Sequence, residues 1–376
     1  MPAQFRTPVV LVIAPLAATA HAGGFAILTQ SGSAIGTAYA GAAAAAEDAS
    51  TVWYNPAGMI GLPGTQVSMA AHGVRPSFRF HDAGSTGAFA SPGTGDGVDG
   101  GDLSLVPQLY ASVRLDDRWT IGAAFNSPFG LKTQYDAGWR GQLTALKSEV
   151  RTYNFNPAVA YRMSDAVWLG AGVSVQRLTT ELSNFAGAAA GTATLAAGDT
   201  AYGYNLGAML VVAPATRVGI AYRSKMTFEL SGTANFSAGG GALDSRIGAD
   251  LTTPESATIG VFSAVSRDWD VMASATWTRW NRVQSITVVR TTASRVRPAG
   301  SVLSTLPFNW RNTTLYSAGA AYRVNGEWKL RFGLGYDPAV ANDIDRAARL
   351  PDQSRTMVTL GARYTAGRSG AFDVAY

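Results

Sequence analysis

The chain has 376 residues, of which 15% are charged, with 42 glycines, no cysteine and a net charge of +5; ordinary soluble proteins carry about 25% charged residues. The missing cysteines exclude a disulfide framework and a thiolate metal site. The positive charge is spread over strand ends and loops with no basic stripe, which argues against a nucleic-acid partner.

The first element is an export signal over residues 1–22. Arg6 gives it a positive start, Val9 to Ala18 an apolar core, and Ala20-His21-Ala22 a small-x-small cleavage site, so Gly23 is the expected first mature residue. No later stretch approaches the roughly 20 apolar residues of a transmembrane helix.

Residues 23–64 are too few for a domain and too apolar for a linker. Placed before a long series of strands, the segment reads as a plug, or hatch, for whatever those strands enclose. The run Ala42 to Ala46 predicts a slim helix, and Asp48 the N-cap of a short helix through Tyr54. Asn55-Pro56 ends it, because the residue before proline avoids helical geometry.

From Thr65 to Tyr376 the apolar residues alternate with period two. In Trp119 to Asn126 one face carries Trp119, Ile121, Ala123 and Phe125; from Trp328, the residues Leu330, Phe332, Leu334 and Tyr336 form another such face. Aromatics at the ends of these faces fit girdles at two membrane interfaces. Short turns at 115–118, 163–165, 213–216, 266–268 and 324–327 alternate with long loops around 81–102, 184–198, 235–252, 285–308 and 339–350, the pattern of an outer-membrane barrel. The fold class is therefore all-β, a transmembrane antiparallel β-barrel over residues 65–376. About thirteen strands are readable. Bacterial barrels have even strand numbers, so either one strand escapes the count or the chain stops before its last.

A lipid-facing Arg or Lys costs about 2–4 kcal/mol at mid-membrane. Parity thus turns Lys329, Arg331, Arg217, Arg223 and Lys225 into the lumen, beside many inward Gly and Ala. These cations either pair with acids to hold the barrel or meet an anionic ligand head. The strand from Trp119 is interrupted at Asn126-Ser127-Pro128-Phe129-Gly130. Proline removes a ladder donor, so the wall opens there or the strand simply ends. No Ser-His-Asp set, metalloprotease motif or phosphate loop is present, and His72 and His81 lack supporting context. An enzyme is not expected, nor a cofactor or bound metal.

These residues resemble the FadL family of outer-membrane transporters, which includes a TodX-like aromatic-hydrocarbon branch. Gly24-Phe25, Gly36 to Gly41, Glu47-Asp48-Ala49 and Asn55-Pro56-Ala57-Gly58-Met59 look like its hatch signature, in order, within about 40 residues. The resemblance implies a 14-stranded barrel filled by an N-terminal hatch, taking up long-chain fatty acids or other hydrophobic molecules passively, as a monomer among outer-membrane lipids. It further implies that movement of the N-terminus releases the ligand sideways through a kink in the third strand. On this reading Phe25 reaches the ligand pocket, Asn55, Pro56 and Ala57 form the hatch motif, and Asn126, Pro128, Phe129 and Gly130 form the kink. Asn184-Phe185 occupies a segment where some members place an arginine against the ligand carboxylate. Asn184 there favours an uncharged cargo such as an aromatic hydrocarbon, unless Arg223 or Arg331 takes over. Residues 370–376 resemble the family's penultimate strand, so a chain ending before the final strand is expected. The alternative functions are an aromatic-hydrocarbon uptake channel of the same family and a general outer-membrane porin.

Overall fold

The structure, a computed structural model, describes residues 9–14, 23–87, 93–367 and 370–376. Of the expected export signal only the backbone of β1 (Val9–Ala14) is described, lying parallel to the first wall strand with Val9 opposite Val67; the rest of residues 1–22 lies outside the described residues.

Period-two sequence becomes an antiparallel wall. It starts with β2 (Thr65–Val74) and β3 (Ser104–Arg114), continues in β4 (Trp119–Asn126) and β5 (Gly130–Gln134), and then in the long β6 (Lys147–Arg162), β7 (Val167–Phe185) and β8 (Thr192–Ala213). Four strands follow as pairs of consecutive pieces: β9 (Thr216–Arg223) with β10 (Met226–Phe236), β11 (Ser245–Thr253) with β12 (Ser256–Ala264), β13 (Trp269–Thr278) with β14 (Ser285–Arg290), and β15 (Val302–Pro307) with β16 (Thr313–Arg323). The wall ends in β17 (Trp328–Asp337), β18 (Arg355–Ala366) and β19 (Gly370–Ala375). With interrupted strands taken as one, the thirteen readable strands of the sequence are all present. Among the described residues β19 pairs with β18 while β2 pairs with β1 and β3, and no register joins β19 to β2.

The outer face is apolar. Trp119, Trp269 and Trp328 pack on Tyr161, Tyr322 and Tyr364 of the neighbouring strands, with ring centroids 4.6, 4.8 and 4.9 Å apart. All three tryptophans stand at short-turn ends and are about 40% exposed (44, 42 and 43%), which places one aromatic girdle.

Two expectations change. The stretches expected as loops at 184–198, 235–252 and 285–308 largely carry strand: β8 begins at Thr192, β11 occupies Ser245–Thr253, and β14 and β15 form a hairpin. There the outer face is polar and the apolar residues, such as Leu195, Ile247 and Val288, point inward, so the outward apolar face disappears although the ladder continues. The second change is Lys225. The register against β8 slips by one residue between Arg223, opposite Asn205, and Ser231, opposite Gly198. A one-residue slip exchanges the faces, so Lys225 joins the exposed parity of Thr227 and Glu229 while Met226, Phe228 and Leu230 turn inward.

Candidate functional site

Residues 23–64 lie against the inner wall, and glycines make that possible. Asn55 packs on Gly207, Ala57 on Gly170, Ala43 on Gly219 and Ala38 on Gly333, each so close that an added Cβ would collide with the segment's own atoms. Asn55 is fully buried and clamps the contact: its amide donates to the carbonyls of Ala43 (2.7 Å) and Ala208 (3.0 Å) and its Oδ1 accepts from Ala57 N (3.1 Å). The local folding differs from expectation. Residues 36–44 form successive turns with Ala38, Tyr39 and Gly41 at positive φ, and Ala46 just after them is at positive φ too, so there is no alanine helix. The helix after Asp48 is α2 (Thr51–Tyr54), with Ser50 at its N-cap. Asp48 instead braces the turn before it, accepting from Ser50 N (2.9 Å) and Ser33 Oγ (2.7 Å), while Ser33 belongs to α1 (Gly32–Ile35).

The segment is also tied electrostatically. Glu47 meets Arg331 (2.6 Å), Lys329 (3.1 Å) and Arg363 (3.8 Å), and Arg331 and Arg363 also reach Asp373 (2.6 and 3.4 Å). Burial alone would raise the Glu47 carboxyl, but the three cations outweigh it and hold it well below the usual range. Arg331, an inward cation that could either brace the barrel or meet a ligand head, is 1% exposed and committed to two carboxylates.

The third wall strand breaks where expected. Asn126 pairs with Asn154 and Gly130 with Arg151 on β6, so three residues on one side oppose two on the other. Among the described residues β3 pairs with β4 but not with β5, leaving the ladder open beside Ser104–Gln108. The N-terminal segment seals the break from inside. Ile27 N donates to Pro128 O and Gly130 N to Phe25 O (both 2.8 Å), an antiparallel bridge centred on Ala26 and Phe129. Asn126 donates to Gln30 Oε1 (2.7 Å) and accepts from Asn154 (2.9 Å). Gly24 must be glycine here: its φ is +59°, and a side chain would strike Trp280.

Phe25 is buried among Phe129, Trp280 and Trp310, with centroids 5.4, 5.3 and 5.8 Å away. Above it lies an apolar cavity of about 80 Å³ lined by Leu131, Val150, Leu182, Ile247, Ile286 and Leu306. Arg349, from the 338–354 loop, is the charge on that lining. It donates to Ser148 Oγ (3.3 Å), Ser183 O (3.4 Å) and Asn184 Oδ1 (3.2 Å). It is 8% exposed, and burial pulls it down to about 10. No described carboxylate pairs with it, and its Nε has no hydrogen-bond partner. So Asn184, read from sequence as a lost cation, is the seat of another one. Phe185 sits beside it, half-buried, its N–H on Gln142 O (2.8 Å). Nothing in the sequence near Arg349 signals this role, because the contact joins residues 165 positions apart. The same loop supplies Asp352, which accepts from Gly24 N (3.1 Å), Val340 N (2.6 Å) and Ala341 N (3.3 Å).

Known proteins resemble this chain, in which one wall strand is broken and a segment packs inside the wall. The family described as "Outer membrane protein transport protein (OMPP1/FadL/TodX)" matches residues 13–376. The chain belongs to this family. An outer-membrane protein of Neisseria meningitidis serogroup B is 29% identical over 99% of this chain and 89% of its own length. The long-chain fatty acid transport protein of Salmonella typhi is 24% identical over 98% of this chain and 90% of its own. Among solved structures a FadL homologue from Pseudomonas aeruginosa aligns with a TM-score of 0.76 at 23% identity, covering 92% of this chain and 88% of that one; at that identity the likeness speaks to the fold. This FadL/TodX protein is thus an outer-membrane β-barrel that takes up hydrophobic compounds.

Proposed function

We propose that this FadL/TodX protein admits long-chain molecules with an anionic head, fatty acids foremost, and releases them sideways through the third-strand kink without covalent chemistry, acting as a monomer. One observation carries the choice of cargo: Arg349, buried and without a carboxylate partner, on the rim of an otherwise apolar cavity. An unpaired buried charge is costly, and a ligand carboxylate offsets that cost while its tail occupies the apolar lining. Residues 23–64 act as the hatch. Their fit against the wall glycines favours a gated path over a water-filled porin. Sideways release is supported by the ladder opening between β3 and β5, which the bridge from Phe25 to Ile27 covers. Withdrawal of that bridge, with Phe25, opens the path.

The test compares a long-chain fatty acid with the matching uncharged alcohol, bound to the purified protein in lipid nanodiscs. Arg349→Met should weaken fatty-acid binding about tenfold or more, since a hydrogen bond to a charged group contributes about 1.5–3 kcal/mol, and should leave the alcohol unchanged. A second reading, aromatic-hydrocarbon uptake, is favoured by the ring cluster of Phe25, Trp280, Phe308 and Trp310. Tighter binding of a monoaromatic than of the fatty acid, indifferent to Arg349, would establish it in place of the first.

A further inference from the structure

A second cavity, of about 160 Å³, lies on the other side of Phe129, between the N-terminal segment and the wall. Its lining differs from that of the upper cavity. Leu28, Phe129, Met226 and Leu315 make it mostly apolar, while Arg223, Gln176 and Asn205 bring nitrogen donors, and no Asp or Glu lines it. Arg223 donates to Trp53 O (2.8 Å) and weakly to Ser174 Oγ (3.4 Å), and its guanidinium lies 3.3 Å from the centre of the Trp53 ring. It has no ion-pair partner among the described residues. Gln176 is fully buried with neither side-chain atom hydrogen-bonded, and Asn205, 2% exposed, uses its Oδ1 on Asn156 (2.9 Å) and leaves its Nδ2 without an acceptor.

Buried polar groups in native proteins are nearly always paired. Three donors line one cavity here, two of them without an acceptor, and no acid lines it. We infer that Arg223, Gln176 and Asn205 form a second station for the ligand carboxylate, below Phe25 and beside the kink. The inference rests on the anionic cargo proposed above and adds a site to it. Its physical need follows from distance. Asn184, which seats Arg349, and Gln176 lie on the same strand, and at ~3.3 Å per residue they are roughly 26 Å apart. A carboxylate leaving Arg349 would otherwise cross that span among rings and methyl groups with no partner. Phe25 and Phe129 stand between the two cavities, Phe25 lining the upper and Phe129 the lower. Pro128 lines the lower one too, so the second station opens on the broken wall.

Uptake of a radiolabelled long-chain fatty acid and of the matching alcohol by cells carrying the full chain, read beside nanodisc affinity, tests this. Arg223→Met and, separately, Gln176→Leu should slow fatty-acid uptake, the arginine change by about tenfold. Affinity at the Arg349 cavity and alcohol uptake should hold. Gln176→Leu separates the role from a structural one, because Gln176 holds no part of the N-terminal segment. Equal slowing of acid and alcohol would reduce Arg223 to a brace for Trp53 and overturn the inference, as would unchanged uptake in both variants. If the wild type shows no preference for the acid and Arg349→Met changes nothing, the anionic cargo fails and this station with it. Loss of binding in Arg349→Met with normal uptake in Arg223→Met and Gln176→Leu overturns the second station alone.

Discussion

Asp352 shows how much a single side chain can control. Burial raises its carboxyl from 3.8 to about 6, against the lowering effect of three N–H donors and of Arg355, itself paired with Asp337. One of those donors is Gly24 N, so the side chain holds the start of the N-terminal segment. In an opened arrangement the carboxyl would be solvated and titrate near its ordinary value, so closing takes up a proton between the two values. Closure is therefore fully favoured below about pH 4, and loses about 3 kcal/mol as pH rises through about 6. Amide exchange at Gly24 and Phe25, corrected for intrinsic rate, should reveal more frequent opening at pH 7 than at pH 5, and Asp352→Asn should flatten the difference. Equal protection of the wild type at both values would remove Asp352 as the latch. None of this was legible in the sequence. Asp352 and Arg349 stand in a loop without periodicity, and their importance comes from contacts that cross most of the chain. Asn184 was legible only as a departure, since a sequence displays the residue that is present and not the one that docks on it. Arg331 was read correctly as inward, but parity could not tell which carboxylates would meet it.

At the scale of elements, legibility followed the solvent. Where one face meets lipid and the other the lumen, alternation was strong and strand positions such as Trp119–Asn126 and Trp328–Asp337 were readable. Where β7, β8, β10 and β11 run on beyond the apolar band, the outward face turns polar and Leu182, Leu195, Leu230 and Ile247 point inward, so the outward apolar pattern ended although the ladder did not. The register slip after Arg223 was invisible for the same reason, because one extra residue leaves no mark in composition. The kink was different: Pro128 states its own consequence by lacking an N–H. Its flanks show what keeps it open. Phe129 N and O both turn to Thr152 Oγ1 (3.0 and 2.6 Å), so the break satisfies its own backbone and leaves Pro128 O and Gly130 N for the N-terminal segment. Replacing Pro128 and Gly130 with threonine should let β5 pair with β3, and a Cβ at Gly130 would press on Ile27. Uptake should fall several-fold while the barrel still resists unfolding in cold detergent on gel electrophoresis. Undiminished uptake in a correctly assembled double variant would count against sideways release.

Across the whole molecule, the N-terminal segment and the wall are electrostatically one object. Glu47 is the carboxylate that the segment contributes to Lys329, Arg331 and Arg363, and the wall's own acids in that cluster are Asp373 and Asp270, the latter also held by Arg323 (2.6 Å). Arg217 adds to the dependence, since it donates to Ala45 O (2.6 Å) of the segment and to no described acid. The wall alone is therefore a lumen with more cations than anions. Deleting residues 23–61 should do two separable things in planar bilayers: raise conductance because the filling is gone, and make the pore anion-selective because the cations lose Glu47. A tether lying outside the lumen would produce neither. A pure space-filler would raise conductance without the selectivity, so reversal potential under a salt gradient distinguishes the three cases. Glu47→Gln gives the intermediate point. Removing one partner of a buried ion pair costs about 3–5 kcal/mol, of the order that holds a short segment in place, yet the glycine-lined contacts at Asn55 and Ala57 remain. That variant should open intermittently, with brief anion-selective currents on a closed baseline, where the deletion stays open.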